Sequence, residues 1–197
     1  MTLRECLQES LLDVDDVISH DDKTDLIHDF LKKNYIFHTS IRPQYTIENG
    51  VVNVNGSCEV KNRSKFKHLT NGLFKFGKVL GFFDCGDCDI ETLEGAPEYC
   101  STDFYCNRCD SLKSLDGSPK YVGGDFDCSG CTSLTSLKGA PKEVNNFYCT
   151  NCKLLKSIKP GPKRIKGDLE AQYCPNLKMS EDDIRKVIKI NGDILRD

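Results

Sequence analysis

The apolar positions of this chain recur with a period of 21 or 22 residues. A Val-type residue (Val79, Cys100, Val122, Val144) is followed by a phenylalanine (Phe83, Phe104, Phe126, Phe147), and two residues further by a cysteine (Cys85, Cys106, Cys128, Cys149). A second cysteine (Cys88, Cys109, Cys131, Cys152) stands three positions on. Two aliphatic registers follow, first Ile90, Leu112, Leu134 and Leu155, then Leu93, Leu115, Leu137 and Ile158. Each block closes on a turn sequence: Gly95-Ala96-Pro97, Gly117-Ser118-Pro119, Gly139-Ala140-Pro141 and the variant Pro160-Gly161-Pro162.

Such a period marks a repeat architecture and overrides local propensity. Alternation of Phe and first Cys about one outward residue predicts a short strand with one buried face, and the Gly/Pro cluster predicts the turn that ends each unit. Each unit is thus expected to be one strand plus one return segment. A unit of this size cannot bury its apolar face alone, so neighbours must stack and the ends need covers. A fifth unit carries Ile165, Leu169, Ala171, Cys174 and Leu177 in the same registers. A degenerate one precedes the array with Val54, Cys58, Val60, Phe66 and Leu69, and Arg63 stands where the second cysteine would be.

The predicted organisation is an α+β chain: a helical cap over 1–44, a short leucine-rich-repeat-like solenoid of stacked parallel strands over 45–179, and a capping helix over 180–197. Leu3, Leu7 and Leu11, then Leu26, Ile27, Phe30 and Leu31, have helical spacing, with capping chemistry at Ser19 to Asp22. Ser180-Glu181-Asp182-Asp183 opens the last helix, with Ile184, Val187 and Ile188 on one face and Asn191-Gly192 as its stop.

The C-x-x-C series has two readings. Two such pairs at this separation match the spacing by which four thiolates close a tetrahedron around zinc, which makes Cys85, Cys88, Cys106, Cys109, Cys128, Cys131, Cys149 and Cys152 the alternative ligand set. Against it, Ala171 replaces the first cysteine in unit five, Val60 and Arg63 replace both in the degenerate unit, and repeat phase accounts for every pair. The favoured reading makes cysteine a small buried core residue, with no cofactor required.

Unit four, Val144-x-x-Phe147-x-Cys149-x-x-Cys152-x-x-Leu155, resembles the cysteine-containing form of the leucine-rich repeat, and the likeness extends over roughly 45–179. The units with an extra residue, such as Val122 to Phe126 through Gly123-Gly124, depart from it by a bulge. The wording Ser136-Leu137-Lys138-Gly139-Ala140-Pro141 with Phe147-Tyr148-Cys149, together with Gly50 to Gly56 and Lys75 to Val79, is similar to repeats in proteins of large tailed bacteriophages. That resemblance implies a phage or prophage origin and carries no activity with it.

Composition narrows the functional classes. The chain has 197 residues, enough for one buried body, and a net charge of −3, too small to demand a polyanion. No segment approaches the ~18 consecutive apolar residues of a spanning helix, and Met1 to Asp13 lacks an apolar signal core, so a cytoplasmic location with reduced thiols is expected, the host cytoplasm for a phage product. His20, His28, His38 and His68 share no ligand-like spacing, no phosphate-binding loop is present, and buried cysteines make poor nucleophiles. No enzymatic activity is expected.

What remains is the outward strand position between each Phe and first Cys register: Asp84, Tyr105, Asp127, Tyr148 and Glu170. Stacking would align these as a stripe of acids and tyrosines, flanked by Asp103, Asp125, Asp168, Asp87, Asn107, Arg108, Asn151 and Tyr173. Tyrosine is enriched at interface hot spots and charge steers encounter, so the expected partner is a protein with a basic patch, bound and blocked without chemistry. A basic run, Lys153 to Lys166, offers nucleic acid as an alternative, with the zinc-dependent version drawing on the C-x-x-C series. An accessory virion component is a third reading.

Overall fold

The structure, a computed structural model, describes residues 20–61, 63 and 66–197; Leu3, Leu7, Leu11 and Ser19 lie outside these. Helix α1 (His20–Asn34) opens the described chain. It buries Ile27 and Leu31 against the start of the stack, while Phe30 is half-buried. Strands β1 (Tyr35–His38) and β2 (Tyr45–Glu48) follow within and just beyond the segment expected to be wholly helical. Strand β2 turns into β3 (Val51–Val54) through Asn49-Gly50, whose φ values of 51° and 70° are those a two-residue hairpin turn needs.

From β3 onward every turn lays down two short strands rather than one. The Val register forms β3, β5 (Lys75–Val79), β7 (Tyr99–Cys100), β9 (Tyr121–Val122), β11 (Glu143–Val144), β13 (Arg164–Ile165) and β15 (Lys189–Ile190). The Phe register forms β4 (Ser57–Val60), β6 (Phe83–Asp84), β8 (Phe104–Tyr105), β10 (Phe126–Asp127), β12 (Phe147–Tyr148), β14 (Leu169–Glu170) and β16 (Ile194–Leu195). The second column is one continuous sheet, β1-β4-β6-β8-β10-β12-β14-β16. The first divides into β2-β3-β5-β7-β9 and β11-β13-β15. Successive turns pair in parallel, and β1 and β2 run antiparallel to β4 and β3, closing one edge of each column.

The molecule is therefore a β-solenoid. A leucine-rich repeat has one strand per unit and a helical or tightly wound return; here the return is irregular, with one isolated bridge between Ser136 and Ser157. At the far end Ser180 caps α2 (Glu181–Val187), its side chain accepting from the Asp183 N–H, as the capping sequence predicts. That helix stops at Val187, short of Asn191-Gly192, which instead form the bend between β15 and β16, so 180–197 adds another pair of strands to the stack. No described helix is long and apolar enough to cross a membrane.

Inside, the registers become columns. Phe83, Phe104, Phe126 and Phe147 stack nearly parallel, with centroids 5.7, 5.3 and 5.2 Å apart, and all are fully buried. The two leucine registers form further columns with no exposure. Tyr35 closes the aromatic stack beside Phe83 and donates its hydroxyl to the carbonyl of Leu69. Gly139 turns with φ 92°, and a Cβ there would lie 2.3 Å from the Leu115 carbonyl carbon, so successive turns approach too closely for any other residue.

Candidate functional site

The outward stripe forms as the alternation predicts. Asp84 pairs in register with Tyr105, Tyr105 with Asp127, Asp127 with Tyr148 and Tyr148 with Glu170, all half-buried on the long sheet. The structure also divides this row by what each acid already does. Asp84 receives both guanidinium nitrogens of Arg63 at 2.9 and 2.7 Å and the Gly86 N–H at 2.9 Å, so it is tied into the fold. Asp127 accepts the Ser129 N–H at 2.8 Å through one oxygen.

The flanking acids have structural duties as well. From Asp103 onward, the residue before the Phe register accepts, through its side chain, the backbone N–H of the same position one turn on. Asp103 takes it from Asp125 at 2.8 Å, Asp125 from Asn146 at 3.0 Å, Asn146 from Asp168 at 2.8 Å and Asp168 from Asp193 at 2.8 Å. This ladder, which sequence reasoning missed, explains the extra glycine in the longer units. A Cβ on Gly167 would meet Asn146 Oδ1 at 2.1 Å, so the ladder side chain occupies the space a side chain at 167 would need.

The ladder also sets the electrostatics of the tyrosines. Burial, followed by the carboxylates of Asp103, Asp125 and Asp127, pushes the Tyr105 phenol up to about 12. Tyr148 is raised by burial and then by Asp125 and Glu170. Each phenol thus stays a neutral donor within a negative field, suited to cationic side chains.

Asp87, Arg108, Asn151 and Tyr173 do not join the strand face; they stand on the adjoining corner. Each is the third residue of its C-x-x-C or Ala-x-x-Cys segment and is left-handed, with φ between 55° and 61°, and Gly130 fills the same place at 75°. Left-handed backbone costs about 1–2 kcal/mol for ordinary residues. At Arg108 a two-pronged ion pair to Asp87, 2.6 and 2.8 Å, sits on the same corner. The corner N–H groups bond forward, Asp87 to the Asn107 carbonyl at 2.8 Å and Arg108 to that of Ser129 at 2.7 Å.

The second cysteines bond backward. Cys109 donates its thiol to the carbonyl of Cys85 at 3.3 Å, Cys131 to Cys106 at 3.1 Å, Cys152 to Cys128 at 3.3 Å and Cys174 to Cys149 at 3.1 Å. Arg63, in the second-cysteine register of the degenerate turn, donates its Nε to the Val60 carbonyl of its own turn at 3.2 Å, and so supplies the carbonyl that stands in the first-cysteine register there. This is why Ala171 can stand in the first cysteine register while Cys174 keeps the second. Every described cysteine is buried and unpaired by disulfide, and no three His, Cys, Asp or Glu among the described residues are grouped so as to hold a metal ion.

The basic run divides between two sides: Lys153, Lys156 and Lys159 lie on the return segment, and Lys163, Arg164 and Lys166 at β13. A groove of about 580 Å³ lies elsewhere, between the Asn49-Gly50 turn and the Glu94–Glu98 turn, floored by Phe74 and Phe76. Compared with known proteins, the chain matches no family model, no curated protein and no solved structure.

Proposed function

We propose that this protein is a non-enzymatic binding solenoid that captures a protein with a basic patch on the outward face of the long sheet. The observation carrying this reading is the in-register row Tyr105, Asp127, Tyr148 and Glu170, with Asp103 and Asp125 beside the phenols. A stacked backbone presents that row in a fixed geometry, so little ordering is needed on binding. Asp84, held by Arg63, lies at the edge of the contact rather than at its centre. The likeness of its repeats to those of tailed phages makes a bacterial host protein the expected target, blocked by occlusion. The thiol ladder supports a structural use of the C-x-x-C series over a zinc-dependent nucleic-acid binder, and metal analysis with a chelator challenge distinguishes the two.

The test is affinity capture from bacterial cells with the wild-type protein and with Tyr105→Ala/Tyr148→Ala. A stoichiometric partner retained by the first and weakened at least about 30-fold on the second fits two hot-spot tyrosines. Equal capture by both proteins would refute the assignment of the face.

A further inference from the structure

The second column of strands has an outward face of its own, and its chemistry is opposite to that of the stripe. The residue before each inward Val-register side chain lines up across the turns as Lys78, Tyr99, Tyr121, Glu143, Arg164 and Lys189. Exposed Lys120, Lys142 and Lys163 stand one residue earlier on successive turns. Glu98 and Glu143 are both engaged here, pairing with Lys120 at 3.2 Å and Lys166 at 3.0 Å. Lys78, Lys142, Lys163 and Lys189 make no ion pair among the described residues. A net charge of −3 thus hides a separation into an acidic side and a basic side.

We infer that this basic face docks the acidic, tyrosine-bearing face of a second copy of the chain. The inference rests on the reading of the acidic face as a binding surface. Charge complementarity favours it, and so does spacing. Both faces repeat with the rise between adjacent strands, about 4.8 Å, so the bases of one face and the acids of the other keep step along the stack only when the partner has the same rise. A nucleic-acid duplex advances about 3.4 Å along its axis per phosphate of each strand, and those phosphates wind around the axis, so it falls out of step. Tyr99 and Tyr121 argue the same way: their rings stack on each other, centroids 4.7 Å apart and planes 7° from parallel, which takes up one face of each ring and leaves no gap between them for a base. Their edges remain outward, and Tyr121 is 48% exposed. A basic partner of the acidic face would then compete with the second copy for it.

The experiment is sedimentation velocity over a concentration series with the purified full chain. At about 20 mM salt, where screening is weak, the mass should rise above that of the monomer with concentration, and at about 500 mM it should return to the monomer value. Lys142→Glu/Lys163→Glu removes the basic face, and Glu170→Lys/Asp193→Lys the acidic one; each should be monomeric alone. Mixed together they retain one intact face of each kind and should form a 1:1 complex, which also shows that both variants are folded. A monomer at every concentration in low salt overturns the self-association alone, because the tyrosine variant reads capture of a basic protein separately. Association unchanged by the Glu170/Asp193 variant overturns the inference together with the acidic-face reading. A wild-type monomer that instead binds a single-stranded oligonucleotide, with loss in the Lys142/Lys163 variant, overturns it in favour of a polyanion.

Discussion

Cys131 donates its thiol to the carbonyl of Cys106, 3.1 Å away in the preceding turn. The first cysteine of the same pair has no comparable duty: Cys128 lies near the Tyr148 carbonyl at 3.4 Å, but that oxygen already accepts the Cys128 N–H at 2.9 Å. Cys131→Ala should therefore cost about 1–3 kcal/mol for the carbonyl left unmatched, beyond the loss of packing. Cys128→Ala, which copies Ala171, should cost less. Urea denaturation of the two variants ranks them, and equal losses would remove the ladder from the account of stability.

Burial also governs when these thiols ionise. It pushes Cys88 and Cys128 up to about 12 from an ordinary value of 9.0. The folded chain keeps protons that the unfolded chain releases above about pH 9, so stability is full below that value and falls as pH rises from 9 towards 12. Denaturation midpoints at neutral pH and at about pH 10 should show the decline. With Cys6, which lies outside the described residues, replaced by serine, Ellman's reagent should react with the native protein slowly at both values and rapidly after unfolding.

The bend ladder predicts a rescue. Gly167→Ala places a methyl group 2.1 Å from Asn146 Oδ1, with the next contact outside that side chain 3.4 Å away at the Asn145 carbonyl. Asn146→Ala removes the obstacle while losing the bond to the Asp168 N–H. The double variant should be more stable than the sum of the two losses by about 1 kcal/mol or more, read from a double-mutant cycle. Strict additivity would show that the glycine is there for another reason.

Arg63 joins Glu59, Asp84 and the carbonyls of Val60 and Gly86 in one cluster. Arg63→Met keeps the length and removes every donor, leaving two carboxylates side by side. A loss of about 2–3 kcal/mol is expected at neutral pH. Thermal melts of the wild type and the variant in the same buffer test it, and an unchanged midpoint would remove the cluster from the account of stability.

The repeat made the stacking legible because the inward registers of its four regular units stay apolar: Phe83, Phe104, Phe126 and Phe147 are one column seen four times. The first strand of each turn was not legible, for a physical reason. Two residues, such as Glu143-Val144, carry no periodicity, and their outward positions (Lys78, Tyr99, Tyr121, Glu143, Arg164) mix bases, tyrosines and an acid, so the excess of base emerges only once the turns are stacked. The stripe was read from alternation alone, which places a side chain outward but cannot show that Asp84 is already held by Arg63 from another turn. The strands at 189–190 and 194–195 were hidden differently: the apolar spacing of Ile184 and Ile188 suits a helix and drew the segment after it into the same element.

The left-handed corner separates what the backbone requires from what the side chain displays. Asp, Arg, Gly, Asn and Tyr hold one conformation at positions 87, 108, 130, 151 and 173, and none of these side chains belongs to the apolar core. The corner is thus a row of variable letters on an invariant spine. What this edge of the molecule displays can therefore differ from turn to turn while the backbone that carries it keeps one shape.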